Sequence, residues 1–512
     1  QADMNDTPHP TGSASDHADP RRWWILGVLC LSLMLVMVSN GSLNVALPSI
    51  ADDLDASNSQ LQWVVDAYAL VFAGLLFAAA TLGDRYGRKG ALQFGLAIFS
   101  VAALAGAFID SAPLLIAVRG LMGLGAAFVM PSTLSILTNV FPMHERGKAI
   151  AMWAGVSAGG AALGPPISGF LLEHFWWGSV LLISLPISLV ALVAGHFLVP
   201  TSRDPNETRI DIPGVALSIV AIVSLVYTII EAPHRGWLSA HTLVGFAIAI
   251  GTAVCFVVVE RRRAEPMLHM GLFADPRFSV ASIGIALAFF AVFGTFFLLT
   301  QIFQLAHGMS PLGAGLMALP ISLVLMLVSP RAATLAERYG VRTMVPVGLT
   351  LVTIGLLLFG LMAQLDSPFY MWVAGAVLPV GMGITMTPLT TLIMASVPRE
   401  RAGMGSAMND ATRELGGALG VAVLGSVATT IYVSHLPALD GLGPDQVHAV
   451  ESGLAGAFRA APELADGAIS AFLDGVLIAS VVAAAMTLIA AVIARVWLPR
   501  RMVPGTIRPT SQ

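Results

Sequence analysis

Long apolar stretches alternate with short polar ones along almost the whole chain. Each stretch has about 20 residues, which is the length a helix needs to cross a bilayer at a rise of about 1.5 Å per residue. The polar interruptions predict fourteen spans, near 23–50, 58–82, 91–109, 113–140, 149–172, 176–199, 212–232, 238–259, 278–304, 312–330, 344–363, 369–396, 403–433 and 471–497. We therefore predict an all-α membrane protein with 14 transmembrane helices.

Composition agrees with this prediction and narrows the function classes. The 512 residues are 56% hydrophobic and 11% charged. A net charge of −4 gives no reason to expect nucleic acid as a partner. No phosphate-binding loop, nucleotide fingerprint or catalytic triad motif occurs, so we expect neither an enzyme nor an ATP-driven pump. The 11 histidines form no metal-like spacing, and we predict no metal or cofactor.

The basic residues predict the orientation. Arg21 and Arg22 precede an apolar run that continues to Ile50, too long for a signal peptide, so we interpret it as a first helix. With the N-terminus in the cytoplasm, all but four of the 26 Lys and Arg residues fall in cytoplasmic segments; the exceptions are Arg119, Arg235, Arg413 and Arg459. We predict a multi-pass protein of a bacterial plasma membrane with both termini cytoplasmic.

The charged stretch LGDRYGRK, at 82–89, lies between the second and third spans. It can be a topology signal alone, but Asp84 does not help orientation. A related stretch, ERYGVR at 337–342, follows half a chain later. Such a repeat is typical of transporters built from two similar bundles. We predict two similar helical bundles, a disordered tail at 1–20 and a tail at 501–512.

The charged stretch resembles the hallmark turn of the major facilitator superfamily, G-x-L-a-D-R-x-G-R-K, with Ala80 replacing the first Gly. The resemblance implies that this turn is a cytoplasmic gate that holds one state of the transporter. The gate candidates are Asp84, Arg85, Arg88, Lys89, Glu337 and Arg338.

Two further motifs resemble the same family. Arg119 in AVRGLMGLGAA matches its fourth-helix pattern, with Met122 in place of the usual Gln. The stretch GGAALGPPISG resembles the antiporter motif of the fifth helix, which distinguishes exporters; its residues are Gly160, Gly164, Pro165 and Gly169. Fourteen spans, NVALP at 44–48 and WVVDAYAL at 63–70 resemble the fourteen-helix drug:proton antiporter branch, closest to exporters of lipophilic cations. The resemblance implies bundles of six helices at 21–200 and 261–500, joined by two linking helices at 201–260.

Acids inside the predicted spans are the sharpest chemical clue, because an unpaired carboxylate in a membrane is costly. Asp66 lies in the second span, three residues after Trp63, and an aromatic ring beside a carboxylate suits a hydrophobic cation. The alternative is that Asp66 only lines an external vestibule. Asp410, Arg413 and Glu414 share one helix face in the thirteenth span, where two acids and one base leave a negative charge that could exchange a proton. The alternative is a structural ion-pair cluster.

One position departs from the family. Many relatives carry an Asp nine residues before the Pro of NVALP, and this chain has Ser39 there. Either Asp66 and the 410–414 cluster carry the coupling, or this chain couples differently. Ser39, Asn44 and Trp63 are the candidates for substrate binding.

We predict a proton-coupled multidrug efflux antiporter that exports small lipophilic cations by alternating access. Protons and membrane lipids are its other expected partners, and we expect it to work as a monomer. The alternative is an exporter of a lipid or endogenous metabolite on the same fold. A membrane sensor without transport is disfavoured, because the predicted loops leave no room for a sizeable signalling domain.

Overall fold

The computed structural model describes residues 20–203, 211–263, 266, 268–365, 368–397, 402–439 and 441–498. In this part of the chain the secondary structure is helical, with these α-helices in order: α1 (Arg22–Asp53), α2 (Asn58–Tyr86), α3 (Arg88–Gly106), α4 (Ala112–Val140), α5 (Met143–His174), α6 (Ser179–Leu182), α7 (Ser184–Leu198), α8 (Ile212–Arg235), α9 (Ala240–Arg262), α10 (Pro276–Gln301), α11 (Pro311–Tyr339), α12 (Val341–Ala363), α13 (Pro368–Ser396), α14 (Ala402–His435), α15 (Pro444–Glu451), α16 (Leu454–Ala460) and α17 (Ala465–Trp497).

The helices confirm the prediction of an all-helical membrane protein. Within the described residues, 13 helical segments are long and apolar enough to cross a membrane, with α6 and α7 together forming one of them. Helix α5 is 32 residues long and packs between α1 and α11. Together with α5 these segments agree with the predicted fourteen spans. The predicted tails at 1–20 and 501–512 lie outside the described residues, apart from Pro20.

The charged stretch is almost entirely helical, where the sequence suggested a turn. Helix α2 continues to Tyr86, and one residue, Gly87, separates it from α3. The repeat is built in the same way, because Gly340 alone separates α11 from α12. Both glycines have positive φ, 122° and 82°, which a side chain would make unfavourable. We call the end of the molecule that carries these two turns the turn end, and the opposite end the far end.

The two turns also share a side-chain contact. The guanidinium carbon of Arg85 lies 5.3 Å from the ring centroid of Tyr86, and that of Arg338 lies 5.4 Å from the ring of Tyr339. Local structure thus repeats together with the sequence.

The helices pack in two related sets. Helix α1 packs on α5 as α10 packs on α14, and α3 packs on α4 as α12 packs on α13. Small residues allow these close approaches: Gly125 of α4 faces the backbone of Gly95 on α3, and Gly420 of α14 faces the backbone of Phe290 on α10. The first set is α1–α7, and the second is α10–α14 with α17. The most extensive contacts between the sets are those of α2 with α14 and of α5 with α11, and α1 also contacts α10 and α11.

Helices α8 and α9 form a hairpin that covers the α2–α14 seam. Helix α8 packs against both α2 and α14. Near the far end His234 shares a hydrogen bond of 2.9 Å with the Ser59 hydroxyl of α2. Just beyond α8, the Trp237 indole donates to the Thr430 hydroxyl of α14 at 3.1 Å. The hairpin therefore contacts both sets of helices at one seam.

The far ends of the two sets are held together by polar contacts. The Asn58 amide of α2 donates to the Thr429 hydroxyl of α14 at 2.6 Å, and the Asn58 backbone N–H donates to the carbonyl of Ser452 at 2.9 Å. Arg459 pairs with Asp55. Ser452 and Arg459 belong to the predicted long loop at 434–470, which in the structure contains α15 and α16 and packs on the helix ends.

Candidate functional site

Asp66 lies on α2, the helix that faces α14 across the seam. Its side chain is fully buried, and neither carboxylate oxygen has a hydrogen-bond partner among the described residues. One turn earlier, the Gln62 side chain accepts a hydrogen bond of 3.4 Å from Ser426 of α14. A charged carboxylate in such surroundings is costly unless a proton or another cation neutralises it.

Trp63 points towards the linking hairpin. Its ring centroid lies 6.1 Å from that of Tyr227 on α8, and it packs on an apolar cluster formed by α2, α8 and α14. The side chain is half-buried. The sequence placed Trp63 and Asp66 on one face, whereas the structure gives Trp63 an aromatic partner that sequence spacing does not reveal.

Arg119 of α4 is also fully buried. Its Nε donates to the carbonyl of Val64 at 3.0 Å, and its guanidinium carbon lies 4.4 Å from the ring centroid of Tyr68. One further nitrogen, Nη2, has no hydrogen-bond partner in the part of the chain that the structure describes. Arg119 is thus anchored on α2 through backbone and ring contacts rather than by an ion pair.

The α14 cluster is more open. The Nη1 of Arg413 lies 3.9 Å from the Oδ1 of Asp410, at the limit of an ion pair. Asp410 also accepts a long hydrogen bond of 3.4 Å from Asn409. The side chains of Arg413 and Asp410 are 36% and 22% exposed, and the Arg413 guanidinium lies 5.4 Å from the ring of Phe289. This ion pair is therefore loose and partly accessible.

Glu414 connects the two sets of helices. Its carboxylate interacts electrostatically with Asp410 and Arg413 on its own helix, and with Arg119 and Tyr68 of the other set. One carboxylate oxygen is buried and has no hydrogen-bond partner among the residues described. The sequence counted two acids and one base here, but the fold adds Arg119 as a second base. Among the described residues of this site, Asp66 then remains an acid without a nearby base.

Tyr68 is the residue that sequence reasoning missed. It is fully buried, and its hydroxyl has no hydrogen-bond partner within the described ranges. The Arg119 guanidinium lies over one face of the Tyr68 ring. Tyr68 follows Asp66 by two residues on α2. In the sequence it is one more aromatic residue in an apolar run, and only the packing of α2 on α4 distinguishes it.

The two candidates on α1 are uncharged and buried. Ser39 is 2% exposed and Asn44 is 8% exposed. The Ser39 hydroxyl and the Asn44 side-chain oxygen have no hydrogen-bond partner in the described part of the chain. They supply polar atoms on α1 without a charge to neutralise.

The glycines of the antiporter motif let α5 pack closely on two helices. A Cβ on Gly160 would lie 3.2 Å from Met34, and one on Gly164 would lie 3.1 Å from the backbone nitrogen of Ser42. The Ser42 hydroxyl donates to the Gly164 carbonyl at 3.0 Å. Gly169, in turn, faces the first residues of α11.

Pro165 belongs to the same arrangement. Its carbonyl faces Gly315 of α11, where a side chain would collide with it. The motif thus joins α1 of its own set to α11 of the other set.

The gate candidates in the first turn contact residues of the first set. The Oδ1 of Asp84 accepts hydrogen bonds from Arg88 at 2.7 Å and from the Ser135 hydroxyl of α4 at 3.2 Å. Lys89 donates to the carbonyl of His196 at 2.5 Å. Glu337 and Arg338 are exposed. These contacts give the turn a fixed shape, whereas the contacts across the two sets described above lie at the far end.

Comparison with known families and proteins identifies a family and several transport proteins that match this chain. The family model of the Major Facilitator Superfamily matches residues 29–421. The multidrug efflux pump LfrA of Mycolicibacterium smegmatis is 38% identical over 492 residues, covering 94% of this chain and 97% of that protein. The methyl viologen resistance protein SmvA of Salmonella typhimurium is 32% identical, covering 89% and 92% of the two chains. The tetracenomycin C resistance and export protein of Streptomyces glaucescens is 30% identical, covering 95% and 94%.

Solved structures agree on the fold. A bacterial homologue of the human lysosomal transporter Spinster, in an inward-facing and unoccupied conformation, matches with a TM-score of 0.67 at 18% identity, covering 95% of this chain and all of that one. A D-xylose–proton symporter matches with a TM-score of 0.61 at 15% identity, covering 93% and 98%. At these identities the likeness concerns the fold alone.

Proposed function

Since this chain belongs to the major facilitator superfamily and resembles multidrug efflux pumps over nearly its whole length, we propose that it is a proton-coupled antiporter that exports lipophilic cations from a bacterial cell. The single observation that carries this proposal is the buried carboxylate of Asp66, which has no base or hydrogen-bond donor beside it among the described residues.

Asp66 supplies the exchange chemistry. A proton and an organic cation each neutralise one carboxylate, so binding of one disfavours binding of the other. Mutual exclusion at a single acid is enough to couple two opposite fluxes, provided that each facing state binds the two ligands with different affinity. The half-buried ring of Trp63, three residues before Asp66 on the same helix, offers aromatic surface to a lipophilic cation.

Glu414 and Arg119 link this exchange to the movement of the two sets of helices. Their charges attract each other across the interface in the observed arrangement. Protonation of Glu414 removes that attraction, as does separation of α14 from α4. In the proposal the ionised pair favours the present arrangement, and Asp410 with Arg413 provides the partly exposed route by which protons reach Glu414.

The proposed orientation has the turn end in the cytoplasm, because the basic residues accumulate there. The contacts between α2 and α14 at Asn58 and Thr429 then close the outer face in the observed state. Export requires these contacts to break while the turn ends approach each other, and the gate role of Asp84 and Arg88 belongs to that second state. The boundaries of the two bundles and the monomeric state stay predictions.

The names of two relatives support different substrates. Methyl viologen is a flat aromatic dication, so the resistance protein SmvA favours the cationic proposal. The tetracenomycin C export protein favours the second candidate, export of an endogenous metabolite. The uncharged Ser39 and Asn44 on α1 fit that candidate, because they offer hydrogen bonds without selecting a cation.

The test uses the full-length protein in liposomes with a pH-sensitive dye inside and an imposed proton gradient. Addition of ethidium should release protons in a dose-dependent manner, and Asp66→Asn should abolish that release. Asp110→Asn is the matched control, because Asp110 is an exposed acid between α3 and α4. Proton release that persists in Asp66→Asn would refute the assignment of Asp66. No proton movement with any cation in the unmodified protein would refute cation antiport and favour metabolite export.

A further inference from the structure

A groove lies on the outer surface of the second set of helices, away from the interface between the two sets. It has a volume of about 290 Å³ and is lined by Thr343, Pro346, Val347, Thr350, Leu351 and Arg495. Its walls are α12 and the last turns of α17, next to the turn end. The surface around it is apolar and exposed: Val347 is 43% exposed, and Val492 and Val496 are 56% and 60% exposed. In a membrane protein such a surface faces lipid.

The Arg495 side chain lines the turn end of this groove, and Arg342 lies beside it. The Nε of Arg342 donates to the backbone carbonyl of Arg495 at 2.9 Å, which holds Arg342 against the end of α17. Arg495 itself lines the groove, and its side chain is exposed. Among the described residues no acid forms an ion pair with either guanidinium. Both bases therefore retain hydrogen-bond donors that can reach a ligand.

The hydroxyl of Thr343 adds a polar atom at the same place. Thr343 is exposed and lies in the first turn of α12, where the helix dipole favours a negative charge. The groove thus has a positive, polar mouth and an apolar body along Val347 and Leu351. A ligand that fits it carries a compact anion at one end and hydrocarbon at the other.

We propose that this groove binds one anionic phospholipid from the leaflet at the turn end. The phosphate accepts hydrogen bonds from Arg495 and Arg342, since guanidinium groups match phosphate oxygens in pairs. An acyl chain lies along Val347 and Leu351. Basic pockets between transmembrane helices near a membrane surface are suited to anionic headgroups. A lipophilic cation is excluded by the two positive charges, so the groove is distinct from the transport site.

The end of the chain itself is a poor occupant. Residues 499–512 carry Arg500, Arg501 and Arg508 and no acid. Their charge opposes binding beside Arg342 and Arg495 and adds to the attraction for an anionic lipid. Charge complementarity therefore favours the lipid over the tail.

The test measures lipid binding to the full-length protein in detergent by native mass spectrometry, with phosphatidylglycerol and phosphatidylcholine as probes. We expect one phosphatidylglycerol to be retained in preference to phosphatidylcholine. Arg495→Gln should weaken that binding about tenfold, through the loss of a charge-assisted hydrogen bond. Arg262→Gln is the matched control, because Arg262 is an exposed base at the turn end of α9 and should leave binding unchanged.

A second variant tests the groove rather than the charge. Val347→Trp fills the apolar body without touching either base and should reduce phosphatidylglycerol binding as much as Arg495→Gln. Equal loss in Arg262→Gln, or no loss in Val347→Trp, would show binding by surface charge alone and overturn the proposal. Glycerol 3-phosphate that competes as well as the intact lipid would also overturn it. So would stronger lipid binding after removal of residues 499–512, because the tail would then be the occupant.

Discussion

The hydrogen bond between Asn58 and Thr429 provides a direct test of alternating access. It joins α2 to α14 at 2.6 Å, and Asn58 is 8% and Thr429 3% exposed. When the far ends separate, both groups become free to bond with water. The bond therefore stabilises only the state in which the far ends are closed, and its removal should shift the equilibrium between the two states.

The expected shift follows from the net strength of such a bond. A buried hydrogen bond contributes about 1 kcal/mol, which corresponds to about a fivefold change in an equilibrium constant. Asn58→Ala and Thr429→Val should each raise the fraction of molecules with open far ends about fivefold. The double variant should exceed either single variant by less than a second fivefold, because both remove the same interaction.

The measurement is the distance distribution between spin labels at Asp53→Cys and Glu463→Cys, in a background with Cys30 and Cys255 replaced by serine. These label sites are exposed at the far end, Asp53 at the end of α1 in the first set and Glu463 just before α17 of the second set. The short-distance population should decrease in Asn58→Ala. Ser434→Ala is the control, because the Ser434 hydroxyl bonds to the Ile431 carbonyl within α14 and should not matter. An unchanged distribution in all Asn58 and Thr429 variants would refute the idea that this contact holds the far ends closed.

Two further substitutions test the motif on α5 and the acid on α14. Gly169→Leu should lower the thermal unfolding temperature of the purified protein by several degrees, since a Cβ there would lie 2.6 Å from the Cα of Leu312; overpacking costs about 1–3 kcal/mol. Gly155→Leu is the control, because a Cβ at this position on the same helix would meet no atom within 4 Å, and it should leave the unfolding temperature unchanged. An equal decrease of the unfolding temperature in both variants would contradict the packing role of Gly169. Glu414→Gln should retain ethidium binding by fluorescence polarisation but lose ethidium-dependent proton release in liposomes. The exposed acid variant Asp466→Asn should keep both, and retained proton release in Glu414→Gln would remove that acid from the coupling scheme.

Sequence reasoning succeeded where the physics is local. A run of apolar residues long enough to cross the bilayer must satisfy its backbone within itself, which imposes a helix and so the fold class. The repeat of Asp84–Lys89 at Glu337–Arg342 was visible because both turns need glycine at one position and carry the same Arg–Tyr pair. The glycines of the antiporter motif could also be found, because small residues at regular spacing on a helix indicate close packing.

Sequence reasoning failed where the partner lies far along the chain. Helix α11 runs on to Tyr339, beyond the predicted end of its span at 330. The segment at 434–470 contains two helices, one of which packs on α1 and α17. The contact of the Trp63 ring with Tyr227 could not be predicted, because Tyr227 lies on a linking helix far away in the sequence.

The amino-acid pattern by itself determined the membrane helices, the two-fold repeat and the presence of unusual acids within apolar runs, since each depends on hydrophobicity, spacing or backbone conformation over a few residues. Only the tertiary structure decided how those acids differ. Packing of α2 on α4 buries Tyr68 and Arg119 together, and packing of α14 on α2 places Glu414 within electrostatic range of that base. Asp66 has no base beside it among the described residues. The charge balance of the site depends on distances across the interface between the two sets of helices, and no local pattern encodes these distances.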